Sequence, residues 1–243
     1  MLGILICYAS FHHFAELQKQ NIAKFVKCPY KLYIIHSYLT NNPSAGHMAN
    51  LNALLDGAWD ECDSFLFLDN DMIFLNDFHE PEEDCWYMPQ TRSGFTYAWP
   101  NLMYFKKHAL MRRIGFENGS DSGGSTWRYL AECNSKREIT IDDGGLPDFQ
   151  RDFKALCEHY NVPYWVERYI LNRCEIFHFR AMSNWTKYPL EYCQQKEVLV
   201  MDATRNVNQY TPRLPWEQSH TSSQTPPQTA DEGLTNTGAN SHG

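Results

Sequence analysis

Runs of large apolar residues alternate with amphipathic stretches along the first third of the chain, and this alternation predicts its elements. Leu2–Tyr8 is an almost unbroken apolar run of strand length, as expected for a strand buried on both faces. Phe14–Lys27 carries Phe14, Leu17, Ile22, Phe25 and Val26 at loosely helical spacing. Lys31–His36 reads as a second strand. His47–Asp60 is a cleaner helix, with Met48, Leu51, Leu54, Leu55 and Ala58 on one face. Ser64–Leu68 is a third strand. No hairpin signal separates these segments, so the strands are expected to run parallel through right-handed crossovers, with helices on both faces. Such sheets bind ligands beyond the carboxyl ends of their strands, which brings Tyr8-Ala9-Ser10, His36-Ser37 and Asp69-Asn70-Asp71 toward one crevice.

The second half is less regular. "CWYMP" (85–89) and "NLMYF" (101–105) read as strands, with a helix from Lys107. The glycine-rich stretch 115–127 is a candidate mobile loop. A turn at Gly144-Gly145 precedes a helix that starts near Pro147 and carries Phe149, Phe153, Leu156 and Tyr160 on one stripe. Residues 174–189 read as a strand running into a loop. Beyond Trp216 large apolar residues nearly vanish, so 217–243 is expected to be a disordered tail behind a single domain of residues 1–216.

The 243-residue chain has a formal charge of −8, from 21 Lys+Arg against 29 Asp+Glu, which argues against nucleic acid or anionic membrane as partner. Its 8 cysteines are scattered without a C-x-x-C pair, the pattern of free, mostly buried thiols in a reducing compartment. "MLGILICYAS" reads as a strand ahead of a signal peptide, and no stretch approaches a membrane span. The sequons at Asn118 and Asn184 therefore read as accidental, and the chain as a soluble cytoplasmic protein.

One segment contradicts simple burial. In "SFLFLDNDMIFLNDF" (64–78), Asp69-Asn70-Asp71 interrupts two apolar runs. An ionised carboxylate removed from water costs several kcal/mol unless it is paired. In extended chain, residues i and i+2 share a face about 6–7 Å apart. Asp69 and Asp71 can then approach one divalent cation, and a phosphate can complete its shell. The plain alternative is a strand-end turn with Asx-type backbone hydrogen bonds.

The apolar strand, the D-x-D and the preceding α/β repeat resemble the nucleotide-sugar-dependent glycosyltransferases of the GT-A fold. The resemblance covers roughly residues 2–190. It implies a single Rossmann-like α/β domain with a mostly parallel central sheet, a nucleotide-sugar half over about 1–105 and an acceptor half over about 106–190. By resemblance, Asp71 holds Mn2+ or Mg2+ against the donor's diphosphate, with Asp69 as its helper and Asn70 between them. The helix "HMANLNALLDGAWD" is similar to the family's helix before D-x-D, with His47 and Asn50 facing the donor. "FHFRAMSNW" resembles the segment that supplies a histidine to the same metal. That makes His178 the third ligand, with Arg180 and Lys187 facing phosphate oxygens; Ala181-Met182 stands where the family often has glycine. Tyr8, Ser10 and His36 are candidate base or ribose contacts. "DDGG" resembles the acidic acceptor-loop motif of inverting members, which implies Asp143 as base, then Asp142, with Asp121 as a more distant choice. For Asp142-Asp143, turn formation and helix N-terminal charge compensation are an equal alternative. Gly123-Gly124, Trp99 and Trp127 are either sugar-side contacts or ordinary loop and core residues.

These features imply a hexosyl- or pentosyltransferase that moves a sugar from a nucleotide-diphosphate sugar to a hydroxyl of a glycan or glycoprotein. A UDP-sugar is favoured, with GDP- or dTDP-sugars as alternatives, and an inverting course is expected. Small size without an anchor resembles the soluble GT-A enzymes of large algal viruses. Two other readings stand beside this one. A sugar-1-phosphate nucleotidyltransferase would need a glycine-rich basic loop after the first strand, where "CYASFHHFAEL" has neither glycine nor Lys or Arg. A non-catalytic sugar-binding relative would bind without turnover.

Overall fold

The computed structural model describes residues 1–8, 11–36, 43–107, 115–116, 123–180 and 188–209. Three strands run parallel as the apolar pattern predicts: β1 (Leu2–Tyr8) lies between β2 (Tyr30–His36) and β3 (Ser64–Leu68). The connections are helical, through α1 (Ala15–Phe25) and α2 (Pro43–Ala58). The second helix begins at Pro43 rather than His47, consistent with proline's fixed φ at a helix start.

The period-two rule divides the strand residues between the two faces. Leu5, Cys7, Phe65 and Phe67 pack with Leu51, Leu54 and Leu55 of α2. Ile4, Ile6, Leu66 and Leu68 pack with Ala15, Ile22 and Phe25 of α1. Both faces are covered, which is why these strands show no polar alternation.

Beyond β3 the sheet turns mixed. A long hairpin of β5 (Cys85–Arg92) and β6 (Phe95–Lys106) joins it antiparallel through β6, and β7 (Lys136–Glu138) pairs parallel with β5. The order is β2-β1-β3-β6-β5-β7. The apolar strands at 85–89 and 101–105 were legible, but the antiparallel register follows from a two-residue turn at Ser93-Gly94, both at positive φ. The helix expected from Lys107 falls largely outside the described residues, as do both sequons and the tail 217–243. All eight cysteines are free thiols, seven of them buried.

A second sheet explains the interrupted apolar segment. Met72–Phe74 forms β4, the edge of an antiparallel sheet ordered β4-β10-β9-β8, with β8 at Thr140–Asp142, β9 at Glu167–Leu171 and β10 at Cys174–His178. The two apolar runs around Asp69-Asn70-Asp71 thus belong to different sheets, and the acidic turn is the joint between them. Gln18, wholly buried on α1, clamps that joint by donating to the carbonyls of Asp69 (2.9 Å) and Met72 (2.7 Å). The buried Tyr8 hydroxyl donates to the other end of the same amide.

Against the second sheet packs α4 (Pro147–Tyr160), whose buried Phe149, Phe153 and Leu156 are the predicted stripe. Beside it lies α5 (Leu190–Gln209), which the hydrophobic pattern did not signal because Lys196 and Thr204 occupy two of its buried positions. A short α3 (Trp127–Glu132) follows Gly123-Gly124. A Cβ at Gly123 would sit 2.5 Å from the Ala98 carbonyl, and Thr126 donates to the Gly123 carbonyl at 2.8 Å. This glycine therefore serves close backbone packing on β6.

Gly145 has a sharper requirement. It adopts φ +136°, and a Cβ there would meet the Phe177 ring at 2.7 Å. That ring cannot yield, being fully buried between Phe149 and Phe179. The glycine lets the 143–146 loop lie directly on β10, one residue before His178. Gly145→Ala is expected to destabilise the chain by about 1–3 kcal/mol, read as a lowered midpoint in denaturant; an unchanged midpoint would show that the loop yields freely.

Candidate metal centre

The register of β10 against β4 pairs His178 with Met72, and the Phe179 amide donates to the Asp71 carbonyl at 3.0 Å. This pairing unites two motifs far apart in sequence. One ligand atom from each of Asp69, Asp71 and His178 lies within 4.8 Å of the others. His178 Nε2 stands 2.9 Å from Asp71 Oδ1. Asp71 and His178 are buried while Asp69 is partly exposed, so the group opens on the Asp69 side. Ligand atoms around one ion with bonds of about 2.1 Å lie about 3–4 Å apart. The group is close to that spacing, and its carboxylate and imidazole donors suit Mn2+ or Mg2+ better than a thiolate-seeking ion.

Side chains of this group are held from behind. Asn101 of β6 donates to Asp69 Oδ2, and the Asn70 amide donates to Asp69 Oδ1 at 3.0 Å. Behind His178 stands a chain of polar side chains: Nδ1 is 3.2 Å from the Tyr169 hydroxyl, which donates to Glu167. Arg180 grips Glu167 with two bonds, Nε at 2.7 Å and Nη2 at 2.8 Å. This arrangement favours a proton on Nδ1 and directs Nε2 toward the carboxylates, so that loss of the Nε2 proton leaves the tautomer that ligation requires.

The electrostatics show what a dication would relieve. Burial, followed by the neighbouring Asp71 charge, pushes the Asp69 carboxyl up to about 7. Burial alone would lower His178, but the Asp71 carboxylate outweighs it and raises the imidazole to about 9. Glu167 moves the opposite way: burial opposes its ionisation, yet bonds from His178, Arg180 and Tyr169 hold it at about 2. Lys196 on α5, buried and bonded to the Arg180 carbonyl, is lowered to about 8 by burial, against the pull of Asp71. Without metal, protons on Asp69 and His178 offset charge that an ion would otherwise neutralise. Metal must displace them, so its apparent affinity should rise between pH 6 and 8, roughly tenfold per pH unit for each proton released. Calorimetry in buffers of different ionisation enthalpy reads that release; affinity independent of pH would contradict it.

The other expected residues divide three ways. Ser10, Asp121 and Lys187, and also Ala181-Met182, lie outside the described residues. Tyr8 is fully buried and supports the acidic turn through Gln18. His36 is exposed at the end of β2, stacked on Tyr8 (5.3 Å) and 3.0 Å from His12 through their Nδ1 atoms. Asn50 donates to Cys7 Sγ at 3.4 Å, while His47 is partly buried on α2. Arg180, expected on phosphate, is instead engaged by Glu167 and lies 3.4 Å over the Trp165 ring. Trp99 is core-like, 5.7 Å from the His178 ring, and Trp127 packs on Phe95 near the hairpin tip.

Beside the metal group lies a cleft of about 630 Å³, lined by Ile141, Asp142, Asp143, Gln150, Tyr164, Trp165, Val166 and Glu167. Two adjacent carboxylates there are unlike. Asp142 is paired with Arg168 at 2.5 Å and accepts the Gly144 amide, which together hold it below the usual carboxylate range. The exposed Asp143 side chain makes no ion pair among the described residues, and its carbonyl is fixed by Gln150 at 2.7 Å. Sequence reasoning missed Glu167, Tyr169, Asn101 and Trp165. The alternation of β9 was a usable signal for the first two, since it points Glu167 and Tyr169 to one face.

No protein-family model and no curated protein matches the chain. Among solved structures, it is similar to the mannosyltransferase PcManGT from Pyrobaculum calidifontis in complex with GDP-Man and Mn2+. The two are 11% identical, with 85% of this chain and 73% of that chain covered and a TM-score of 0.38. The likeness is one of general outline. The chain itself is an α/β protein with a mixed central sheet and an Asp-Asp-His group, open on the Asp69 side, that could hold a divalent cation.

Proposed function

We propose that this chain is a metal-dependent glycosyltransferase of the GT-A fold, transferring a sugar from a nucleoside-diphosphate sugar to an acceptor hydroxyl with inversion. The observation that carries the reading is the convergence of Asp69, Asp71 and His178 at the carboxyl end of β3, the binding side of a parallel α/β sheet. A bound Mn2+ or Mg2+ would supply positive charge for the diphosphate and its departure. Asp69, Asp71 and His178 would hold that ion, and the Tyr169–Glu167–Arg180 chain keeps the imidazole oriented. Asp143, in the adjoining cleft, takes the acceptor hydroxyl proton. Residues 1–105 then form the donor half and 106–190 the acceptor half. Among the described residues, no helix is long and apolar enough to cross a membrane.

A thermal-shift panel of UDP-, GDP-, dTDP- and CMP-sugars with Mn2+ and with EDTA tests this. One nucleoside-diphosphate class should stabilise the chain, by about 2.7 kcal/mol at a hundredfold excess over Kd, only when metal is present. Turnover in EDTA, or no shift by any nucleotide with Mn2+, would overturn the proposal.

A further inference from the structure

Trp165 poses a question that the metal centre does not answer. It is 55% exposed although the Arg180 guanidinium lies 3.4 Å over its ring, so the uncovered face opens to solvent. A single exposed indole is ordinary, but here it adjoins exposed Tyr164 and Ile141 in one cleft, and a contiguous apolar surface of that kind marks a binding site. The indole is also held still. Arg180 is pinned by two bonds to Glu167, and its own carbonyl accepts from Lys196.

The surroundings define what fits. The cleft falls within the range of small-molecule sites, about 300–1,000 Å³. Its apolar wall is Trp165 with the 39%-exposed Tyr164 and, on β8, the 51%-exposed Ile141. Its polar wall is Asp143 and the Gln150 amide. Asp142 and Glu167 are neutralised by Arg168 and Arg180, which leaves Asp143 as the carboxylate without an ion pair among the described lining residues. A site with that net charge repels phosphates and carboxylates. It accepts a neutral ring with an apolar C–H face for the indole and hydroxyls for the carboxylate and amide, which describes a pyranose.

We infer that this cleft is a sugar-binding subsite, in which a neutral pyranose ring stacks on the open face of Trp165 and donates hydroxyl hydrogen bonds to Asp143. Resting on the glycosyltransferase reading, it identifies the acceptor as a glycan whose reacting unit is an uncharged hexose. Glu167 lines the cleft and sits 3.6 Å from His178 Nδ1, so one carboxylate is shared by the sugar subsite and the metal centre.

The test uses the full chain and three probes: methyl mannopyranoside, methyl glucopyranoside and methyl galactopyranoside. Saturation-transfer NMR with Mg2+ should show at least one of them bound at about 10 mM, the weak range expected of one ring. The signal should fall about fivefold or more in Trp165→Ala and be largely restored in Trp165→Phe, which retains an aromatic face. An equal signal in Trp165→Ala, or no glycoside bound by a chain that does bind metal and nucleotide, overturns the subsite while leaving the transferase reading. Glycoside binding that depends on Trp165, in a chain that fails the nucleotide panel, upholds the subsite and overturns the transferase.

Discussion

Asp71→Ala should abolish metal-dependent nucleotide binding, with Mn2+ affinity falling at least about a hundredfold, beyond the 10–100-fold typical of outer-shell changes. Asp71 is the buried carboxylate of the candidate metal group; its side chain faces His178 Nε2 at 2.9 Å and its carbonyl anchors Phe179. The substitution removes the first without touching the second, so the β4–β10 pairing should persist. Two opposing changes accompany it. Asp69 loses a like charge, and His178 loses the counter-charge that keeps it protonated. The metal-free chain should therefore melt close to the parent while the Mn2+-dependent shift disappears. Retention of Mn2+ affinity, measured by calorimetry or electron paramagnetic resonance, would remove Asp71 from the ligand set.

Asp143→Asn should lower transfer by about a hundredfold to ten-thousandfold, the usual contribution of a general base, while donor and metal binding stay near the parent values. The change is nearly isosteric and leaves the Asp143 carbonyl bonded to Gln150, so the loop should keep its place. Asp142→Asn makes an informative contrast. It breaks the pair with Arg168, which also holds Glu175 at 2.8 Å, and should act through the position of β8 against β9. Loss of transfer in the Asp142 variant alone, with full activity in Asp143→Asn, would reassign the proton acceptor.

Much of this architecture can be read along the chain. Fully buried parallel strands such as Leu2–Tyr8 and Ser64–Leu68 cannot alternate, and their helices carry one apolar stripe each, so type and order show locally. Short elements are different. Lys136–Glu138 is exposed throughout, and α5 hides its buried face behind Lys196 and Thr204, whose burial depends on partners rather than on their own polarity. The glycine pair at 144–145 reads as a turn. That Gly145 must also touch Phe177 follows only from the packing of β10.

Local residue order was enough to single out Asp69 and Asp71, because charge set inside apolar strands has few stable explanations, whereas His178 entered only through the resemblance of its segment to a known family. The choice of Asp143 ahead of Asp142 likewise rests on resemblance, and it remains a proposal. The chain alone did not show that Arg180 bonds Glu167, that Tyr8 lies beneath the acidic turn, or that Trp165 stands open beside Asp143. Those arrangements depend on how β4 pairs with the β9–β10 hairpin in the second sheet and on how the acidic turn joins that sheet to the first. Pairing between distant segments sets the direction of every side chain on them, and no window of neighbouring residues encodes that pairing.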